Sequence, residues 1–185
     1  MTSWRSLGHR GDNTEDIINI TNRYYESHGV AVITKMPVPI KVIEIEKSII
    51  KKAFFEEKST VDYYGVVQGL SIVFDAKETE KKSFPLQNIH EHQIEYMQKI
   101  KNQGGLAFII VNFKYYNEFI LIPIEIIHYY YQKSLNGGRK SIPYSVLDKR
   151  FTIEFKNGIL HYLDTLNVYI RYIEKDKFNK YKIVT

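Results

Sequence analysis

The 185-residue chain contains no cysteine. Disulfides, iron–sulfur clusters, thiolate zinc sites and cysteine nucleophiles are therefore excluded, and a reducing compartment is the natural setting. Proline is scarce, five residues in all, and no Pro-, Gly- or Ser-rich stretch is long enough to serve as a linker. There is no internal repeat, so a single domain over 1–185 is expected. The longest apolar run, Phe119–Tyr131, is broken by Pro123 and Glu125, and the amino-terminal stretch MTSWRSLGHRGDN has no apolar core. Neither a membrane span nor a signal peptide is expected, and the reading is a soluble, cytoplasmic, nucleoid-associated protein. Also missing are a Gly-rich phosphate loop, a Gly-x-Ser-x-Gly elbow and a His-Glu-x-x-His helix.

What is present is 44% hydrophobic residues, enough for one sizeable core at this length. The net charge of +5 favours a polyanionic partner, although many basic proteins bind none. Residues 1–13 read as a flexible arm. Asp12 and Glu15 have capping-box spacing and open a helix from about Asn13 to Ser27, closed at Gly29, with Ile17, Ile20, Thr21 and Tyr24 inward. Gly29–Met36 is β-branched and reads as a buried strand. Residues 38–58 form a basic, partly aromatic insertion; it is either a projection toward nucleic acid or an ordinary hairpin with solvated charges.

The most informative stretch is Ser59–Thr79, STVDYYGVVQGLSIVFDAKET. A strand ending near Asp62 and returning through a turn at Gly69 places Asp62 beside the end of the next strand. There Val73, Asp75 and Lys77 share one face, because side chains alternate along a strand. Two carboxylates and an ammonium at one strand end can hold a divalent cation and position a water, as phosphodiester hydrolysis requires. Acid-x-Lys is a cheap pattern, also present at Glu154-Phe155-Lys156, and a salt bridge on a solvated face is the competing reading. Thr60 beside Asp62 is a candidate supporting residue.

Farther on, Ser83-Phe84-Pro85 introduces a helix over Leu86–Lys101 with Leu86, Ile89, His90, Gln93, Met97 and Ile100 on its inner face. With the helix packed under the acidic strand, Gln93 is thereby a candidate to reach a phosphate or a metal-bound water. His90 and His92 fall on opposing sides. Gly105–Phe113 reads as a central strand, Phe119–Ile122 as its neighbour, and Pro123 starts another helix. The remainder is basic and turn-rich, with a short helix around Leu163–Tyr172. The expected fold class is α/β, a mixed central β-sheet flanked by helices.

Taken together, Arg10-Gly11, Glu15, Thr21-Asn22, Gly29–Ile33, Ser59–Tyr63, Phe74–Thr79, Ser83–Asn88, His90–Gln93 and Arg139–Pro143 resemble the RecU family of bacterial Holliday-junction resolvases. The resemblance implies a restriction-endonuclease-like fold and a homodimer that cuts four-way junction DNA by paired nicks, with a recombinase as a further candidate partner. It places the catalytic residues at Asp62, Asp75, Lys77 and Glu15. The metal, Mg²⁺ or Mn²⁺ in its place, falls to Asp62, Asp75, Glu15 and the carbonyl of Ala76. Aspartate at 75 departs from the glutamate usual in the family. The insertion at 38–58 corresponds to the family's stalk but is shorter, with Glu46-Lys47-Ser48 where a Pro-Lys-Arg-Ser stretch is usual. DNA contacts are expected from Arg10, Lys35, Lys47, Lys51, Lys52, Arg139 and Lys140. A restriction-type duplex endonuclease and a junction-binding factor with little cleavage are the alternatives.

Overall fold

The computed structural model describes residues 14–55 and 60–181, with Phe55 and 175–181 as backbone only. In chain order the elements are α1 (Thr14–Ser27), β1 (Val32–Lys35), β2 (Ile40–Glu46), β3 (Ile49–Phe55), β4 (Tyr63–Val67), β5 (Leu70–Thr79), β6 (Ser83–Pro85) and α2 (Glu91–Asn102). They continue with β7 (Leu106–Phe113), β8 (Glu118–Pro123), α3 (Ile124–Leu135), β9 (Ser141–Pro143), β10 (Thr152–Ile153), β11 (Phe155–Lys156), β12 (Ile159–Leu160) and α4 (Tyr162–Tyr181). The central sheet has six strands in the order β1-β4-β5-β7-β8-β10. The β5–β7 pair is parallel and every other neighbouring pair antiparallel, so the mixed α/β class read from the sequence is observed.

The reversal into β5 is a two-residue turn with Gln68 at φ 48° and Gly69 at φ 87°, the left-handed pair that matches the twist of adjoining strands. At Gly65 a Cβ would lie 2.5 Å from the Val32 carbonyl oxygen, so only glycine lets β1 approach β4 at that point. Central β7 is buried on both faces, which explains why its sequence is apolar throughout except at Asn112.

One face of the sheet carries a stack of rings from three strands in register. Tyr63 and Phe74 lie 4.8 Å apart, Phe74 and Phe108 5.0 Å, both pairs nearly coplanar. Tyr162 and Tyr169 of α4 pack against this stack at 5.4 and 6.4 Å. α1 joins the same layer: the Tyr162 hydroxyl donates to Asn22 Oδ1 at 2.5 Å, and Leu160 N donates to Thr21 Oγ1 at 2.9 Å. Changing Tyr162 to phenylalanine strips a buried acceptor of its donor, at an expected cost of about 1–3 kcal/mol. A lowered urea midpoint with an unchanged slope would show it.

Several boundaries differ from the sequence reading. β1 is an edge strand with only Ile33 buried, because it has one neighbour rather than two. The inner face of α1 is Ile18, Thr21, Asn22 and Tyr25, with Ile20 and Tyr24 exposed; polar contacts to the carboxy-terminal layer set its rotation. The helix expected over Leu86–Lys101 begins only at Glu91, after a 3-10 turn at Leu86–Asn88, and the exposed His90 is its N-cap. The His90 and His92 rings stack at 5.4 Å rather than lying on opposing sides. The last helix runs for 20 residues, twice the expected length.

The segment between β1 and β4 forms its own two-stranded sheet, β2–β3. Every β2 residue is exposed, as are Ile49–Phe54 of β3. This exposed ribbon is the described part of the insertion at 38–58, while the arm at 1–13 and the Asp12 capping position lie outside the described residues.

Candidate active site

The site grows out of one register relation. Because Tyr63 pairs with Phe74, Asp62 falls opposite Asp75 at the same end of the sheet. The backbone closes this arrangement: Asp62 N donates to Asp75 Oδ1 at 2.8 Å, and Ala76 N donates to Asp62 Oδ2 at 3.1 Å. Lys77, two residues on and therefore on the same face as Asp75, places its Nζ 3.2 Å from Asp62 Oδ2 and 3.0 Å from Asp75 Oδ2. Asp75 is completely buried, while Asp62 and Lys77 are 22% and 19% exposed. The trio thus has a dry floor and a wet rim.

Gln93 arrives from α2 in the same cluster. Its Oε1 accepts from the His90 backbone N at 3.0 Å as part of the helix cap. That fixes the amide's orientation and aims Nε2 at Asp75 Oδ2, 2.7 Å away. Gln93 therefore reaches a carboxylate, where the sequence offered a phosphate or a metal-bound water. Asp75 accepts from three donors, which is what a buried carboxylate requires. Burial nonetheless pushes its carboxyl above the ordinary carboxylate range, with Lys77 opposing the shift and Asp62 adding to it. For Lys77 burial disfavours the charge, but Asp75 and Asp62 outweigh it and the ammonium is held above its ordinary range.

Glu15 lies on α1, and its carboxylate pairs with Lys35 at the end of β1, whose ammonium also feels the charge of Asp62. The buried Tyr63 fastens this corner by donating to Asn19 Oδ1 at 3.0 Å. Among the described residues no three His, Asp or Glu side chains are arranged as a metal-holding group. The oxygen donors brought together are the Asp62 and Asp75 carboxylates beside the Ala76 backbone. Hard oxygen donors of this kind suit Mg²⁺ or Mn²⁺ and not a softer ion.

Thr60 is partly buried, two residues ahead of Asp62. Lys47 and Ser48 form the tip of the β2–β3 hairpin with φ of 48° and 66°, Lys51 pairs with Glu46 at 3.0 Å, and Lys52 lies across from Glu44. Arg139 and Lys140 are exposed just before β9, the former donating to Ser141 Oγ at 2.9 Å. Arg10 lies outside the described residues.

The sequence reading did not single out a second polar chain at the end of β5. Asn112 Nδ2 donates to Thr14 Oγ1 at 3.2 Å, Thr14 Oγ1 donates to Glu78 Oε2 at 3.1 Å, and Lys114 Nζ donates to Glu78 Oε1 at 2.9 Å. It ties the first turn of α1, next to Glu15, to the strand that carries Lys77. One signal was legible: Asn112 is the lone polar residue in an otherwise apolar strand.

Among the described residues no helix is long and apolar enough to cross a membrane. Residues 9–168 match the model of the family described as "RecU: Recombination protein U". A protein of Lactococcus lactis subsp. lactis named Holliday junction resolvase RecU is 44% identical over 172 residues, 88% of this chain and 79% of that one. The equally named protein of Geobacillus sp. (strain WCH70) is 43% identical over 144 residues, covering 75% and 72%. A solved structure of Archaeoglobus fulgidus Hjc, a Holliday junction resolvase, aligns with a TM-score of 0.39 at 8% identity, over 63% of this chain and 75% of that one. The stretch from Asp62 to Lys77 that builds the trio lies inside a family match covering most of the sequence, and on that match the chain belongs to the RecU family.

Proposed function

We propose that the chain is a divalent-metal-dependent endonuclease that resolves four-way DNA junctions by paired nicks. The observation that carries the reading is the convergence of Asp62, Asp75 and Lys77 at one sheet end, half buried and half open, in a chain of this family. Asp62, Asp75 and the carbonyl of Ala76 would hold the metal, Mg²⁺ by preference of the donor set, with Mn²⁺ as substitute. Glu15 would join as an outer acid from its place beside Lys35. When bound, such an ion acidifies a water and neutralises charge on the phosphate. Lys77, kept as an ammonium by both aspartates, orients the attacking water and faces the phosphate oxygens as a donor. Gln93 acts one step back, by fixing the rotamer of Asp75. Two copies of the chain would present two such sites to strands related by a two-fold axis.

The test is cleavage of a synthetic four-way junction and of a duplex of the same sequence, with and without Mg²⁺. The expected result is cutting of the junction only with metal and weak or no cutting of the duplex. Equal cutting of both would favour a restriction-type duplex enzyme; tight junction binding without cutting would favour a binding factor.

The exposed hairpin makes a separate forecast. Reversing Lys51 and Lys52 to glutamate adds like charge beside Glu44 and Glu46 on the β2–β3 ribbon. If the ribbon enters the crossover, junction affinity should fall about tenfold or more, and duplex affinity less, since each phosphate contact contributes to the salt-dependent part of binding. Titrations at several salt concentrations check this; equal losses on both substrates would reduce the ribbon to a general phosphate contact.

A further inference from the structure

We infer that Tyr115, with Lys82 over its ring, is a stacking platform for a DNA base left unpaired next to the cleaved phosphate, with Lys81 and Lys82 taking adjoining phosphates. The inference rests on the junction-cleaving reading and adds a contact surface to it.

The position follows from the strand register. β5 and β7 run parallel, so the turn after β7 emerges at the same sheet end as Asp75 and Lys77. The two meet directly: Lys114 N donates to the Thr79 carbonyl at 3.0 Å, two residues beyond Lys77. At about 3.4 Å per residue this turn begins roughly 7 Å past the lysine. That length is close to two base steps of a DNA strand. A strand with its phosphate at the trio therefore passes this turn within a few nucleotides.

The chemistry of the turn fits such a strand. Tyr116 is used internally, stacked on Tyr144 at 3.6 Å. Tyr115 is not: the residue is 56% exposed, its ring edge-on to Tyr116 at 4.9 Å and under the Lys82 ammonium at 4.6 Å. Lys82 is anchored at its backbone, whose carbonyl accepts from Tyr144 N at 3.2 Å. The other lysines nearby are spoken for, Lys114 by Glu78 and Glu80, and Lys149 by Glu118. Lys81 and Lys82 are exposed and form no ion pair among the described residues. An exposed ring beside uncompensated cations is the pairing that single-stranded nucleic acid binds, bases on the ring and phosphates on the lysines. At the branch point of a four-way junction the flanking base pairs lose continuous stacking along one strand, so a base there is freed at a lower cost than inside an intact duplex.

The experiment measures binding of a four-way junction carrying 2-aminopurine within three nucleotides of the cleavage position, in EDTA so that strands stay intact. An intact duplex of the same sequence is the control. Tyr115→Ala should weaken junction binding about tenfold or more and leave 2-aminopurine fluorescence unquenched, while Tyr115→Trp restores both. Lys82→Ala should flatten the slope of log affinity against log salt by about one. Junction affinity within twofold of wild type for Tyr115→Ala, or an equal loss on the duplex, would overturn the platform. A wild-type chain that binds no junction would sink the junction-cleaving reading instead, so the two failures are distinguishable. Circular dichroism melts of each variant separate lost contacts from lost fold.

Discussion

Cleavage of a four-way junction should fall by about 10²–10⁴-fold in Lys77→Ala, and by a similar factor in Asp75→Asn, with junction affinity kept within a few-fold of wild type. On the proposed mechanism both residues act on the reacting phosphate, where charge develops in the transition state, whereas affinity comes mostly from phosphate contacts spread over the surface. The two variants differ in their structural cost. In Asp75→Asn the carboxamide must face three donors, Asp62 N, Gln93 Nε2 and Lys77 Nζ, with only one acceptor oxygen. Gln93 cannot turn its amide without giving up the helix cap at His90. About 1–3 kcal/mol of stability should go with the charge. Lys77→Ala instead leaves two neighbouring carboxylates without their shared cation, a repulsion that added divalent metal would relieve. Activity, junction anisotropy and thermal melting measured together check the pair. Undiminished cutting by both variants would remove the trio from the mechanism.

A mixed dimer of one wild-type and one Asp75→Asn chain should nick junctions at close to half the wild-type frequency but separate them into two duplexes at least about a hundred times more slowly. Each chain contributes a single Asp62/Asp75/Lys77 site, and resolution takes two cuts in strands related by a two-fold axis. The chain has material for such an interface, with fifteen tyrosines and ten phenylalanines. Part of this aromatic content is consumed by the Tyr63–Phe74–Phe108 stack and its cover from α4. Isolating the mixed species by two affinity tags, then separating nicked from resolved products on gels, checks the outcome. Efficient resolution by the mixed species, or a chain that stays monomeric on the junction, would refute the paired-site arrangement.

Much of the site was legible before the fold was known. A period of two is enough to put Asp75 and Lys77 on one face, and a turn at Gln68-Gly69 is enough to bring Asp62 back to them. The carboxy-terminal third was read poorly by comparison. Asn157-Gly158, with φ of 54° and 77°, is a plain hairpin signal between β11 and β12, yet it is flanked by strands of two residues, too short to show alternation. The pairing of β6 with β9 joins Ser83-Phe84-Pro85 to Ser141-Ile142-Pro143 across a long sequence separation, and no local pattern announces such a contact.

By itself, then, the sequence determined the features that local rules dictate, the alternation along β5, the turns and the apolar character of β7, together with the family to which the chain belongs. The tertiary structure decided what depends on relations between distant segments. It turned α1 so that Asn22 rather than Ile20 faces inward, because Tyr162 waits there with a hydroxyl to donate. It trimmed α2 back to Glu91 and made Gln93 both helix cap and support for Asp75. It placed Glu15 with Lys35 and brought the Lys82 ammonium over the ring of Tyr115. Side-chain period and turn chemistry are carried by neighbours in the chain, whereas helix rotation and partner choice are settled by whichever buried polar groups must find each other once the layers close.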